Sequence, residues 1–144
     1  ETTMILNIDY DKVFQKIEFI KGNLTKLNQL KKIELEDFLN DFRNTESCKY
    51  LLQTSIEAII DICNHIIARN NLGKPSTHAD AIRILAKNNI ISQELAVQLV
   101  KMVKFRNRIV RLYFEVDNST LYDILQNNLS EFDKFIDEIT EKLM

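Results

Sequence analysis

Apolar residues recur along this chain at alternating steps of three and four, the spacing that puts them on one side of an α-helix. Val13, Ile17, Ile20, Leu24 and Leu27 follow it and predict a first helix from about Asp9 to Lys32, followed by a short helical turn around Leu35 to Phe42. Leu52, Ile56, Ile59, Cys63, Ile66 and Ile67, widened by Leu51, Ala58 and Ile62, predict a long central helix over about Thr45–Asn70. The stretch Asn70-Asn71-Leu72-Gly73-Lys74-Pro75-Ser76 holds one of the two glycines and the only proline, and is the clearest break. Ser76 or Thr77 then suits the cap of a short helix to Lys87, with Asp80 in its first turn, and Ser92 the cap of the next. A last helix is expected from Asp117–Thr120 to about Leu143, burying Leu121, Ile124, Leu125, Leu129, Phe132, Phe135, Ile136 and Ile139. With no internal repeat and no linker, the expectation is an all-α antiparallel helical bundle of about five helices forming one domain over residues 1–144. Glu1-Thr2-Thr3 ahead of Met4 reads as an expression remnant, and residues 1–8 are expected to be disordered or extraneous.

One position breaks the pattern. If residues 92–114 form a single helix, Leu95, Leu99, Met102, Val103, Ile109, Val110 and Tyr113 share a stripe, and Arg106 sits inside it. A guanidinium stays charged at any ordinary pH and loses several kcal/mol of hydration when buried unpaired, so an anion must meet it: a carboxylate or a ligand phosphate. Tyr113, seven residues on, shares that face, whereas Asn107 lies about 100° and Arg111 about 140° around the helix. The three polar groups therefore converge only if the helix ends or bends near Arg111, or if a second copy completes the site across a two-fold axis.

Composition narrows the chemistry. The chain has 144 residues, 45% of them apolar, with two Gly, one Pro and no Trp, which suits a helical domain with its own core and disfavours sheet and disorder. No apolar run approaches the ~20 residues of a membrane span and no secretory signal pattern is present, so a soluble cytoplasmic protein without a membrane partner is expected. The formal charge of −2 argues against general nucleic-acid binding, yet Lys101, Lys104, Arg106, Arg108 and Arg111 fall in an acid-free run. Lys101, Lys104 and Arg108 read as a solvated face. Cys48 and Cys63, 15 residues or ~22 Å apart on one helix, cannot bridge and read as small core residues. His65 and His78 are the only histidines, and neither makes zinc-ligand spacing with a cysteine. Neither metal nor cofactor is expected.

The central helix offers the candidate carboxylates. Gln53, Glu57, Asp61, Asn64 and His65 form a polar strip, with Glu57, Asp61 and His65 at four-residue spacing. A metal trio is one reading; a wetted face, or the partner of Arg106 and Asn107 across the bundle, is preferred because only one histidine is present. Phe105 and Phe114 read as packing residues rather than stacking platforms.

Phe105-Arg106-Asn107, then Ile109-Val110, Leu112 and Tyr113, resembles the signature of the HEPN ribonucleases, and among them the HepT toxins of prokaryotic toxin–antitoxin pairs. That signature is Arg, a polar residue, three positions, His, any residue, Tyr. Gly73, Pro75, Thr77 and Asp80, the pair Ile90-Ile91, and Glu57, Asp61 and His65 extend the likeness over roughly residues 10–143. It implies a HEPN-type bundle, a homodimer with its basic cleft at the two-fold, that cleaves RNA without metal through Arg106, Asn107 and Arg111, with Glu57 and Asp61 in support. It also implies a nucleotidyltransferase antitoxin of the MntA type that transfers AMP from ATP to Tyr113. The departure is Arg111, where the signature has histidine. Imidazole can take a proton near pH 7 and guanidinium cannot, so the resemblance implies an impaired enzyme, silenced by a laboratory change or by selection in its host, or a non-catalytic module that binds a nucleotidyltransferase or nucleotides.

Overall fold

The computed structural model describes residues 6–143. Seven α-helices follow one another: α1 Tyr10–Lys31, α2 Leu35–Asn40, α3 Phe42–Arg69, α4 His78–Lys87, α5 Gln93–Arg111, α6 Asn118–Asn127 and α7 Ser130–Leu143. A single 3₁₀ turn, Tyr113–Glu115, joins α5 to α6. There are no strands among the described residues, and the fold class is the all-α one the periodicity implies.

Side-chain caps set most of the helix starts. Asp9 accepts from the Lys12 amide at 3.2 Å, Thr77 from Asp80 at 3.0 Å, Ser92 from Leu95 at 3.2 Å and Asp117 from Ser119 at 3.0 Å, each satisfying an amide the first turn leaves free. Of the two candidates before α4, Thr77 is the cap, while Ser76 donates to the Asp80 carboxylate. The Asn70–Ser76 break is where the backbone turns left-handed, with Asn71 at φ 51° and Gly73 at φ 125°, a conformation glycine adopts without a Cβ penalty.

Three boundaries differ from the pattern-based expectation. α3 starts at Phe42, with Asp41 accepting from the Arg43 amide at 2.9 Å, rather than at about Thr45. The last helix is two helices: the Asn127 side chain bonds back to the Asp123 carbonyl at 3.0 Å, Asn128 leaves the helical region, and a new turn starts so that Leu129 and Phe132 both point inward. The motif helix stops at Arg111, because Leu112 (φ −129°, ψ 44°) departs and the chain turns to bury Val116 and Leu121. Leu6 and Ile8 correct the expectation for the N-terminal segment, since both are buried against the core and Asn7 is tied to Asn70 and Arg69. Residues 1–5, including the expected remnant, lie outside the described residues.

α3 is the axis of the molecule and packs against α1, α2, α4, α5 and α6. By length and apolarity it is the one described helix that could cross a membrane, but most of its apolar window is covered by these neighbours. Cys48 and Cys63 are buried on it as free thiols, and burial pushes the Cys48 thiol up to about 12. Between Leu51 and Ile67 α3 is largely apolar, and Gln53, Glu57, Asp61, Asn64 and His65 form the polar strip that interrupts it.

Candidate functional site

Arg106 projects from α5 toward α3. Its Nε and Nη2 donate to the same Glu57 oxygen, Oε2, at 3.0 and 2.7 Å, and its Nη1 donates to Asn107 Oδ1 at 3.1 Å. Gln53, one turn earlier on α3, donates to that same Oε2 at 3.3 Å. The anion that the interrupted stripe requires is therefore Glu57, and the pair is not sealed: the side chains are 18% and 33% exposed. Three of the five guanidinium N–H groups are engaged, which leaves two to meet a ligand. An ion pair at this depth lies between an exposed pair, worth about 0–1 kcal/mol, and a sealed one whose breaking costs about 3–5 kcal/mol.

The polar strip of α3 divides. Each four-residue step advances about 40° around a helix, so over eight residues a strip rotates by about 80° and cannot keep one partner. Glu57 meets α5. Asp61 turns to α1 and pairs with Lys16 at 2.9 Å, and His65 Nε2 accepts from the Asp9 amide at 3.0 Å. Asp61, Asn64 and His65, with Lys12 and Lys16, line a pocket of about 380 Å³ on that side. Glu57, Asp61 and His65 thus serve three different partners, and no metal-ligand group of three is found among the described residues. Burial pushes the His65 pKa down, with the Arg69 and Lys12 charges adding to it, which keeps Nε2 free to accept.

Arg106, Asn107 and Glu57 are brought together; Asp61 is not. Arg111 is exposed on the opposite flank of α5. Tyr113 is not on the α5 face, because the helix has already ended; it sits half-buried in the 3₁₀ turn, edge-on to Phe114 at 5.5 Å between ring centroids. Phe105 packs inside as expected, whereas Phe114 is 96% exposed and so is not a packing residue within this chain. Val110 also leaves the stripe, at 48% exposed, although Ile109 beside it is fully buried.

The structure adds Lys49, which the sequence reading passed over. It is buried to 6% exposure on α3, and its Nζ stands 4.5 Å from the centroid of the Tyr113 ring, within cation–π range. Lys49, Gln53 and Glu57 are spaced by four, so one α3 strip presents an ammonium to the tyrosine and a carboxylate to the arginine. That spacing was the available signal: the polar strip begins one turn before Gln53.

Residues 20–139 match the family described as Ribonuclease HepT-like. The chain is 36% identical over 129 residues to the "mRNA nuclease HepT" of Shewanella oneidensis, covering 90% of this chain and 96% of that protein. It is 29% identical over 138 residues to the "tRNA nuclease HepT" of Aphanizomenon flos-aquae, covering 96% and 94%. Among solved structures, the tri-AMPylated HEPN toxin of Shewanella oneidensis in complex with its MNT antitoxin superposes with a TM-score of 0.85 at 36% identity, over 91% of this chain and 98% of that one.

Proposed function

The chain belongs to the Ribonuclease HepT-like family, and from that footing we propose that it is a metal-independent endoribonuclease toxin of a toxin–antitoxin pair, acting in the cytoplasm. The observation that carries the reading is the Arg106 guanidinium, braced on one edge by Glu57 and open on the other. In the proposed reaction the ribose 2′-oxygen attacks the adjacent phosphorus, an O–P bond forms, the bond to the 5′-oxygen breaks, and charge gathers on the phosphoryl oxygens. The two free N–H groups of Arg106 meet that charge, Glu57 holds the guanidinium plane, and Asn107 steadies its outer edge. A cation held in place before the phosphate arrives costs little reorganisation when it does.

The 2′-hydroxyl must also give up its proton near pH 7, here to solvent, and the departing 5′-oxygen must take one up from solvent. At position 111, where the family signature has histidine, this chain offers a guanidinium that binds phosphate but takes no proton. We read the chain as impaired, by roughly the 10²–10⁴-fold that general acid–base catalysis is worth. Arg111→His should raise RNA cleavage by that order, measured on a labelled single strand; an unchanged rate would overturn this account of position 111. Arg111 also favours a second reading, a helical module that binds a nucleotidyltransferase or nucleotides without cleaving. The two separate on whether the Arg111→His protein arrests growth when made without its partner.

Regulation follows from Tyr113. A nucleotidyltransferase antitoxin transfers AMP from ATP: the phenolic oxygen bonds the α-phosphorus, pyrophosphate leaves, and the phenol proton goes to the transferring enzyme. The attached phosphate adds a negative charge and bulk beside Lys49, where it competes with an RNA phosphate for that cation. Intact-mass measurement with that enzyme and ATP should show AMP added, and Tyr113→Phe should abolish it; an adduct indifferent to the change would overturn the assignment. Because Arg106 and Arg111 face about 140° apart, we assign the complete cleft to a homodimer, whose second copy covers the exposed Val110, Leu112 and Phe114.

A further inference from the structure

The exposed flank of α5 carries more positive charge than a cleft centred on Arg106 uses. Lys101, Lys104, Arg108 and Arg111 are all exposed and fall within an arc of about 80° on the helix. Across from the first two, α4 contributes Arg83 and Lys87, and between the helices runs a groove of about 520 Å³ floored by Val97 and Val100. No carboxylate lines it. Arg83 shares its charge with Asp80 at 3.3 Å, but among the described residues no carboxylate pairs with Lys87, Lys101 or Lys104. The neighbouring depression, around the start of α5, is lined instead by Glu94, Glu131 and Glu138, with Lys134 beside Glu131 at 3.8 Å as its one cation. A protein of net charge −2 has thus sorted its charges, with an acidic wall on one side of α5 and unpaired cations on the other.

We propose that the α4–α5 groove is a docking track for the sugar-phosphate backbone of a single RNA strand, continued over Arg108 and Arg111 to the cleft that Arg106 of a second copy completes, since Arg106 of the same chain faces about 140–160° away from them. The inference rests on the nuclease reading above and deepens it: RNA is held along α5 as well as cut at its end. The ammonium groups meet successive phosphates, while the apolar floor lies under riboses and unstacked bases, which a paired duplex would not expose. Each phosphate contact releases counterions, so the track makes affinity depend on salt. Exposed lysines can be replaced without touching the core, which makes the test clean.

The experiment compares the full chain with Lys101→Gln/Lys104→Gln and with Arg106→Gln, by fluorescence anisotropy of a labelled oligouridine across a salt series. Two lost contacts should lower the slope of log affinity against log salt by about 1.4, and the affinity about tenfold at 0.1 M salt. If the parent chain and Arg106→Gln differ while the double lysine variant matches the parent, the track is wrong and the cleft reading stands. If the parent chain does not bind the strand at all, both fall. If the lysine variant instead loses its nucleotidyltransferase partner with RNA affinity unchanged, the groove is a protein interface and the track is overturned. Unchanged circular dichroism of each variant ties any loss to charge rather than unfolding.

Discussion

The two ends of the polar strip on α3 look alike in sequence and end in different chemistry. Toward α5, Lys49, Gln53 and Glu57 stand where one carboxylate oxygen takes three donors and an ammonium covers an aromatic ring. Toward α1, Asp61 and Lys16 pair with side chains 55% and 42% exposed, and His65 takes a backbone amide. Water screens the second pair to the value of an ordinary surface contact, while partial exclusion of water lets the first hold a cation in one orientation. Exclusion from solvent, more than residue type, separates a site from a wetted face.

Arg106→Gln in an Arg111→His background should break the contrast most severely. Losing a preorganised donor to the phosphoryl oxygens is worth about 10²–10³ in rate, so cleavage should fall by that order in a single-turnover assay while Asp61→Ala leaves it unchanged. Glu57→Ala comes next. It frees the guanidinium to swing and leaves it short of a partner; discounting for the one-third exposure of Glu57, the stability loss is on the order of 1 kcal/mol in urea titration, with cleavage reduced as well. Asp61→Ala should cost no more than about 0.5 kcal/mol by the same titration, and an equal cost for the two carboxylates would dissolve the distinction. The smallest effect is a pH dependence. The folded-state pKa of His65 is lowered, so the unfolded chain binds the proton more readily; its share of stability is complete above the ordinary imidazole pKa and is lost as pH falls through the folded value. Melting temperature should therefore drop between about pH 7 and pH 5, and His65→Gln should flatten that slope.

Much of the architecture was legible because it depends on local periodicity. The start of α4 at Ser76 or Thr77, that of α5 at Ser92, the core stripe of α1 and the central place of α3 follow from spacing and caps. The interrupted stripe at Arg106 demanded an anion, and the four-residue strip supplied two candidates. Choosing Glu57 over Asp61 needed the rotation of α3 against its neighbours. The split between α6 and α7 was missed because the apolar period runs through Asn127 and Asn128, and the propensity of two asparagines to leave a helix is weak until packing of Leu129 and Phe132 decides it.

By itself the sequence determined the helical class, several of the helix caps, the cationic interruption at Arg106 and the arginine at position 111. These are properties of residues three or four apart, and hydrogen bonding and side-chain spacing within one helix suffice to specify them. The tertiary structure alone decided that Glu57 braces the arginine, that Lys49 covers Tyr113, and that Tyr113 leaves the helix for a 3₁₀ turn. Those pairings join residues about fifty or more positions apart, and which of several equivalent polar side chains meets which depends on how two helices rotate to bury their apolar faces.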